Sequence, residues 1–204
     1  MQAFSLTAFI VIVIAAMVIL IFRDWRINVL ALGVQYLAAF VLVTLSWPIG
    51  IAIIKLIVGW IATATIGLTC LRQMNTESPT EPTSSLFFRG MLGVLVIMLV
   101  FVLAPGLQAK VFPGLNLLIV QGGIVLFGMA LMQLGTNSEP YLIILSLLSF
   151  LSGFETIQAG LERSTLLTGL LAIVNLGLAL VGVYFITKHA ENEPEAIADE
   201  ETSQ

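Results

Sequence analysis

The chain has a single cysteine, Cys70, and a single histidine, His189, in 204 residues. One thiol rules out an internal disulfide, and it excludes the cysteine clusters that structural zinc or iron–sulfur sites need. Redox compartment is therefore not legible. The histidine falls at the end of the last apolar stretch, where a helix dipole favours it, so no histidine lies within a span to act as a haem ligand. Charge is scarce as well: Asp, Glu, Lys and Arg make up only 10% of the residues. No polar segment is long enough for a nucleotide-binding fold, a soluble enzyme or a nucleic-acid binder. G-x-S-x-G, H-E-x-x-H and phosphate-loop motifs are missing, which leaves hydrolysis and metal-assisted catalysis unsupported. The sequence thus points to no catalytic centre, no cofactor, no metal and no nucleic acid.

What the chain does have is apolar length. Hydrophobic residues are 59% of the total and the mean hydropathy is +1.08, far from the composition of soluble domains. At about twenty apolar residues per crossing, spans are expected near residues 3–22, 27–46, 49–71, 86–105, 115–134, 140–161 and 165–187. The runs are too long and too evenly apolar for barrel strands, which would alternate over about ten residues. The fold class is therefore an all-α polytopic transmembrane bundle of about seven spans, and the lipid bilayer is its first partner. Pro48, Pro79, Pro82, Pro105, Pro113 and Pro140 fall at or near the expected breaks, where proline is tolerated. Small residues at Gly122, Gly123 and Gly128, and at Gly169, Gly177 and Gly182, are expected to let helix backbones approach closely. The N-terminal stretch has no basic leader or cleavage pattern and reads as a retained span.

Charge divides the chain into residues 1–188, a membrane domain, and 189–204, an acidic tail expected to be disordered. Six of the twelve acidic residues lie in the last fourteen positions, so the tail sets the net charge of -4. Arg23, Arg26, Arg72, Arg89 and Lys188 fall on one side of the bundle, against Lys110 and Arg163 on the other. Lys and Arg mark the cytoplasmic side, which puts the N-terminus outside and the tail in the cytoplasm. Arg23, Asp24, Trp25 and Arg26 read as an interfacial anchor.

Two ionisable residues stand inside expected spans, Lys55 and Glu155. A charge near the bilayer centre costs roughly 2.5 to 3.5 kcal/mol, so such groups face the bundle interior, pair, or line a polar path. Lys55 lies seven residues inside the Pro48 turn and Glu155 eight before the Arg163 turn. Both turns are on the same, non-cytoplasmic side, so at 1.5 Å per residue each group sits roughly 10 to 12 Å deep. Equal depth lets the two meet. The bland alternatives are a lysine that snorkels to the interface and a neutral, merely desolvated glutamate. Gln158 and Glu162 continue the face of Glu155 by one and two turns, while Gln35, Gln121, Gln133 and Asn175 place single amides in other spans. Amides position water or bond between helices but do not carry protons. The candidates for ion translocation are accordingly Lys55, Glu155, Gln158, Glu162, Gln35 and Asn175.

The stretch WPIGIAIIKLIVGWI, Trp47 to Ile61, resembles the lysine-bearing helix of the hydrogenase-4 component E family. LSFLSGFETIQAGL resembles the glutamate helix of that family and of the related subunit K of respiratory complex I, with Gly153 two positions before Glu155. The order of helices, ending in a basic residue at Lys188, fits over about residues 5–188. In place of a proline soon after the lysine, this chain has Gly59 and Trp60; Gln158 or Ala159 stands where the glutamate helix usually carries an asparagine or histidine. The resemblance implies a non-redox membrane subunit of a complex that couples redox chemistry elsewhere to proton or cation movement. Its partners would be large antiporter-like subunits, and its membrane a bacterial inner or internal photosynthetic one. Whether the chain counts as an enzyme then depends on the complex. A structural or assembly scaffold is the alternative, and a small stand-alone transporter a further one, though no inverted repeat or broken helix supports it.

Overall fold

In a computed structural model, the structure describes residues 2–73, 83–162 and 164–202, with side chains within 4–73, 84–162 and 164–192. The described residues form seven helices: α1 (Gln2–Ile21), α2 (Trp25–Val43), α3 (Ile49–Gln73), α4 (Thr83–Lys110), α5 (Leu117–Thr136), α6 (Pro140–Leu161) and α7 (Thr165–Thr202). Each contains a stretch long and apolar enough to cross a bilayer, as the run lengths require. Pro79, Pro82 and Arg163 lie outside the described residues, as do the side chains of the tail from residue 193 onward.

Local chemistry sets several boundaries. Asp24 caps α2 by accepting a hydrogen bond from the Arg26 amide at 2.9 Å, and Asn116 caps α5 by accepting one from the Leu118 amide at 3.0 Å, each supplying an acceptor to an orphan N–H of a helix start. Pro140 opens α6, the position where its missing N–H costs nothing. Pro105 departs from expectation: it lies inside α4, which continues to Lys110. So near a helix end, the one lost backbone bond is re-satisfied more easily than in mid-span.

Two apolar clusters hold the bundle. One joins α1, α2, α4 and α5 around Ile12, Leu42, Ile119 and Leu126; the other joins α2, α3, α6 and α7 around Leu32, Ile66, Leu145 and Leu148. The tightest approach is between α5 and α6. A Cβ added at Gly153 would sit 2.8 Å from the Gly123 carbonyl oxygen and 2.9 Å from Leu126 Cβ, so only glycine allows these backbones to meet. Gly122, Gly128 and Gly182 also face close neighbours, but Gly169 and Gly177 have nothing within 4 Å. The expected small-residue contact is therefore absent at those two positions, because they lie away from the face of α7 that carries buried Thr168, Leu171, Asn175 and Ala179.

The end of α1 is tied down by four other helices. Asn28 Nδ2 donates to the Phe22 carbonyl at 2.9 Å and Gln133 Nε2 to the Ile19 carbonyl at 2.9 Å. Arg89 donates to Ile21 at 3.5 Å, and the Tyr141 hydroxyl donates to Arg23. These side chains satisfy carbonyls that a helix terminus leaves without intrahelical partners. The opposite face of the membrane domain, where α2 turns into α3 and α6 ends, is where the ionisable groups gather.

Candidate functional site

Lys55 lies less than two turns into α3, and Glu155 less than two turns from the end of α6. Both enter the bundle near the same face because α3 starts, and α6 finishes, on that side. Their side chains are each 8% exposed and lie 3.9 Å apart, Nζ to Oε2. The equal depths expected from the sequence do bring acid and base into one pocket.

The lysine is anchored more firmly than the glutamate. Its ammonium donates to the Glu155 backbone carbonyl at 3.1 Å and to Gln158 Oε1 at 3.3 Å, and it sits 5.7 Å from the centre of the Trp47 ring. At 3.9 Å the carboxylate is attracted to the ammonium without a direct hydrogen bond. Beside the pair is a cavity of about 10 Å³ whose polar lining is Tyr36, Lys55, Ser152, Glu155 and Thr156. That is room for about one water, and the wall offers it several partners.

The remaining candidates are distributed unevenly. Gln158 belongs to the pocket, and its Nε2 donates to the Glu162 backbone carbonyl at 3.3 Å. Glu162 itself is the exposed residue that ends α6, so it contributes a carbonyl one step removed and its carboxylate stays outside. Asn175, fully buried on α7, accepts a hydrogen bond from the Tyr36 hydroxyl at 3.1 Å; since Tyr36 lines the cavity, Asn175 is the next group outward. Gln35, also fully buried, accepts from Ser149 Oγ at 3.4 Å and does not line the cavity. Gln133 bonds at the far end of the bundle and is structural.

Sequence reasoning missed Tyr36, Trp47, Ser152 and Thr156. Signals for them existed. Ser152 stands three residues before Glu155 and four before Thr156, spacings that set all three on one face of α6. Gly59 gives Tyr36 its place: a Cβ there would fall 2.5 Å from Tyr36 Cγ and 2.6 Å from Cε1. Among the described residues, no group of three or more His, Cys, Asp or Glu could hold a metal ion.

Compared with family models, curated proteins and solved structures, the chain finds no match. The functional reading accordingly stands on the pocket itself.

Proposed function

We propose that this chain is a non-redox membrane subunit of a proton- or cation-translocating complex of the complex I or group 4 hydrogenase type. The observation that carries the reading is the buried Lys55–Glu155 pair, 3.9 Å apart. Two charges inside a span are costly and mark ion pathways, and a buried pair is poor evidence of a stabilising device because desolvation offsets its attraction. Glu155 exchanges a proton as its surroundings rearrange. Its charge is held while Lys55 is close and released when the two part. Gln158 orients the lysine, and Tyr36 with Asn175 forms the polar wall behind the pair. In the proposed setting the N-terminus is outside and the acidic tail cytoplasmic, in a bacterial inner or internal photosynthetic membrane.

The test is Glu155→Gln in the intact complex. Coupled ion movement is lost while the subunit still assembles and co-purifies in mild detergent with large antiporter-like partners. Normal coupling in that variant refutes the role. A silent Lys55→Met, in a chain that still co-purifies, would favour a scaffold instead.

A further inference from the structure

We propose that the Trp47 indole is the gate between the Lys55–Glu155 pocket and the aqueous face at which α2 turns into α3. This rests on the reading of the pair as the translocation site. Residues 44–48 connect the two helices, and Pro48, Ile49 and Gly50 immediately after Trp47 are exposed. Trp47 itself is 3% exposed. It packs with Val43 of α2, itself a wall residue of the cavity, and with Ala52 of α3 and Ala159 of α6, so the ring stands between the Lys55 ammonium and the exposed turn.

The closed position is held and opposed by identifiable forces. The ring lies 5.7 Å from the Lys55 ammonium, within the range of cation–π attraction. Against this, Trp47 Nε1 is buried with no hydrogen-bond partner, an unfavourable state for an indole N–H that a move of a few ångströms to the interface would relieve, since indoles favour that region. Trp60 shows the contrast: its Nε1 donates to the Gly33 carbonyl at 3.1 Å. A cavity of about 10 Å³ cannot take in a hydrated ion, so exchange with bulk water requires something to move. Trp47 is on a turn rather than within a packed helix, and its holding force depends on where the lysine points. The state of the ion pair and the opening of the pocket are thereby linked.

Accessibility of the pocket tests this without any ion-transport assay. Ser152→Cys places a thiol on the pocket wall, in a chain whose Cys70 is replaced by Ala, and a charged, membrane-impermeant methanethiosulfonate is applied in proteoliposomes from the face of the α2–α3 turn. With Trp47 present, modification is slow; Trp47→Ala speeds it by about tenfold or more, and Lys55→Met speeds it in the same direction. Equal rates with and without Trp47, or reaction only from the opposite face, overturn the gate. Should Trp47→Ala fail to fold, Trp25→Phe with Trp60→Phe leaves Trp47 as the sole indole. Its quenching by acrylamide must then rise in Lys55→Met, and unchanged quenching overturns the proposal. Because Glu155→Gln reports on coupling and these measurements on access, failure of the gate and failure of the translocation role are separable.

Discussion

Gly59→Ala tests whether the site is built by packing as described. The new methyl would lie 2.5 Å from Tyr36 Cγ and 2.6 Å from Cε1, so the ring must retreat by about 1 Å to restore ordinary carbon contact near 3.5 Å. It has little room to do so: Tyr36 is 4% exposed, and its hydroxyl is tethered to Asn175 at 3.1 Å. Overpacking costs about 1–3 kcal/mol. Loss of the tether adds about 0.6 kcal/mol, the average for interhelical hydrogen bonds in a membrane protein. Replacing glycine in a helix returns up to about 1 kcal/mol in propensity, which leaves a net loss of about 1–3 kcal/mol. Gly177→Ala is the control, since nothing lies within 4 Å of its Cβ; there only the propensity remains, and stability holds or rises by up to about 1 kcal/mol. The two substitutions thus differ in sign. Unfolding in mixed detergent micelles, followed by circular dichroism, measures both. If Gly59→Ala proves as stable as Gly177→Ala, the wedge between α3 and Tyr36 does not exist.

Three further outcomes follow from the same contacts. Gly153→Ala drives a methyl against the Gly123 carbonyl and Leu126 Cβ, atoms of backbone or near it that cannot swing aside, so it should destabilise by about 2 kcal/mol or more in the same unfolding assay. Removing one member of the Lys55–Glu155 pair should cost about 3–5 kcal/mol, whereas Lys55→Met combined with Glu155→Gln should recover much of that loss, because it leaves no buried charge alone. A cycle over the four proteins gives the coupling, and an additive result would mean that the 3.9 Å pair does not form. Gln133→Leu strips the donor from the Ile19 carbonyl and should lower stability by about 1 kcal/mol without touching the pocket; a larger loss in ion coupling than in stability would contradict its purely structural place.

The seven spans were legible because a bilayer imposes a length, and unbroken apolar runs of about twenty residues seldom occur in chains that fold in water. The pocket was half legible. Lys55 and Glu155 stand out since charge in a span is rare, and their depths follow from counting residues to Pro48 and Arg163. Tyr36 and Trp47 stayed hidden because an aromatic ring in an apolar helix, or beside a turn, has the same signature whether it fills a core or walls a cavity. Glycine is likewise ambiguous. Gly59 and Gly177 look alike in sequence, yet one accommodates a ring and the other faces open space; the difference lies in the rotation of neighbouring helices. Pro105 marked an expected break and instead lies within α4, since a proline's cost depends on whether other groups can re-satisfy the freed carbonyl.

The way the helices pack explains how the pair can be buried although its two helices hardly touch. α3 packs on α2 and α7, and α6 packs on α5, α7 and α2; direct contact between α3 and α6 backbones is slight by comparison. Lys55 therefore crosses a gap, on a long flexible hydrocarbon stem, to reach a carbonyl, an amide and a carboxylate on α6. A short side chain would have required the helices to close and would have fixed the charge. The long one carries the ammonium to the Glu155 carbonyl and Gln158 while α3 and α6 stay apart. Tyr36, wedged at Gly59 and bonded to Asn175, holds α2 in place between the two charged helices. The wall formed by Tyr36 and the long reach of Lys55 together let acid and base meet in one pocket without close packing of α3 against α6.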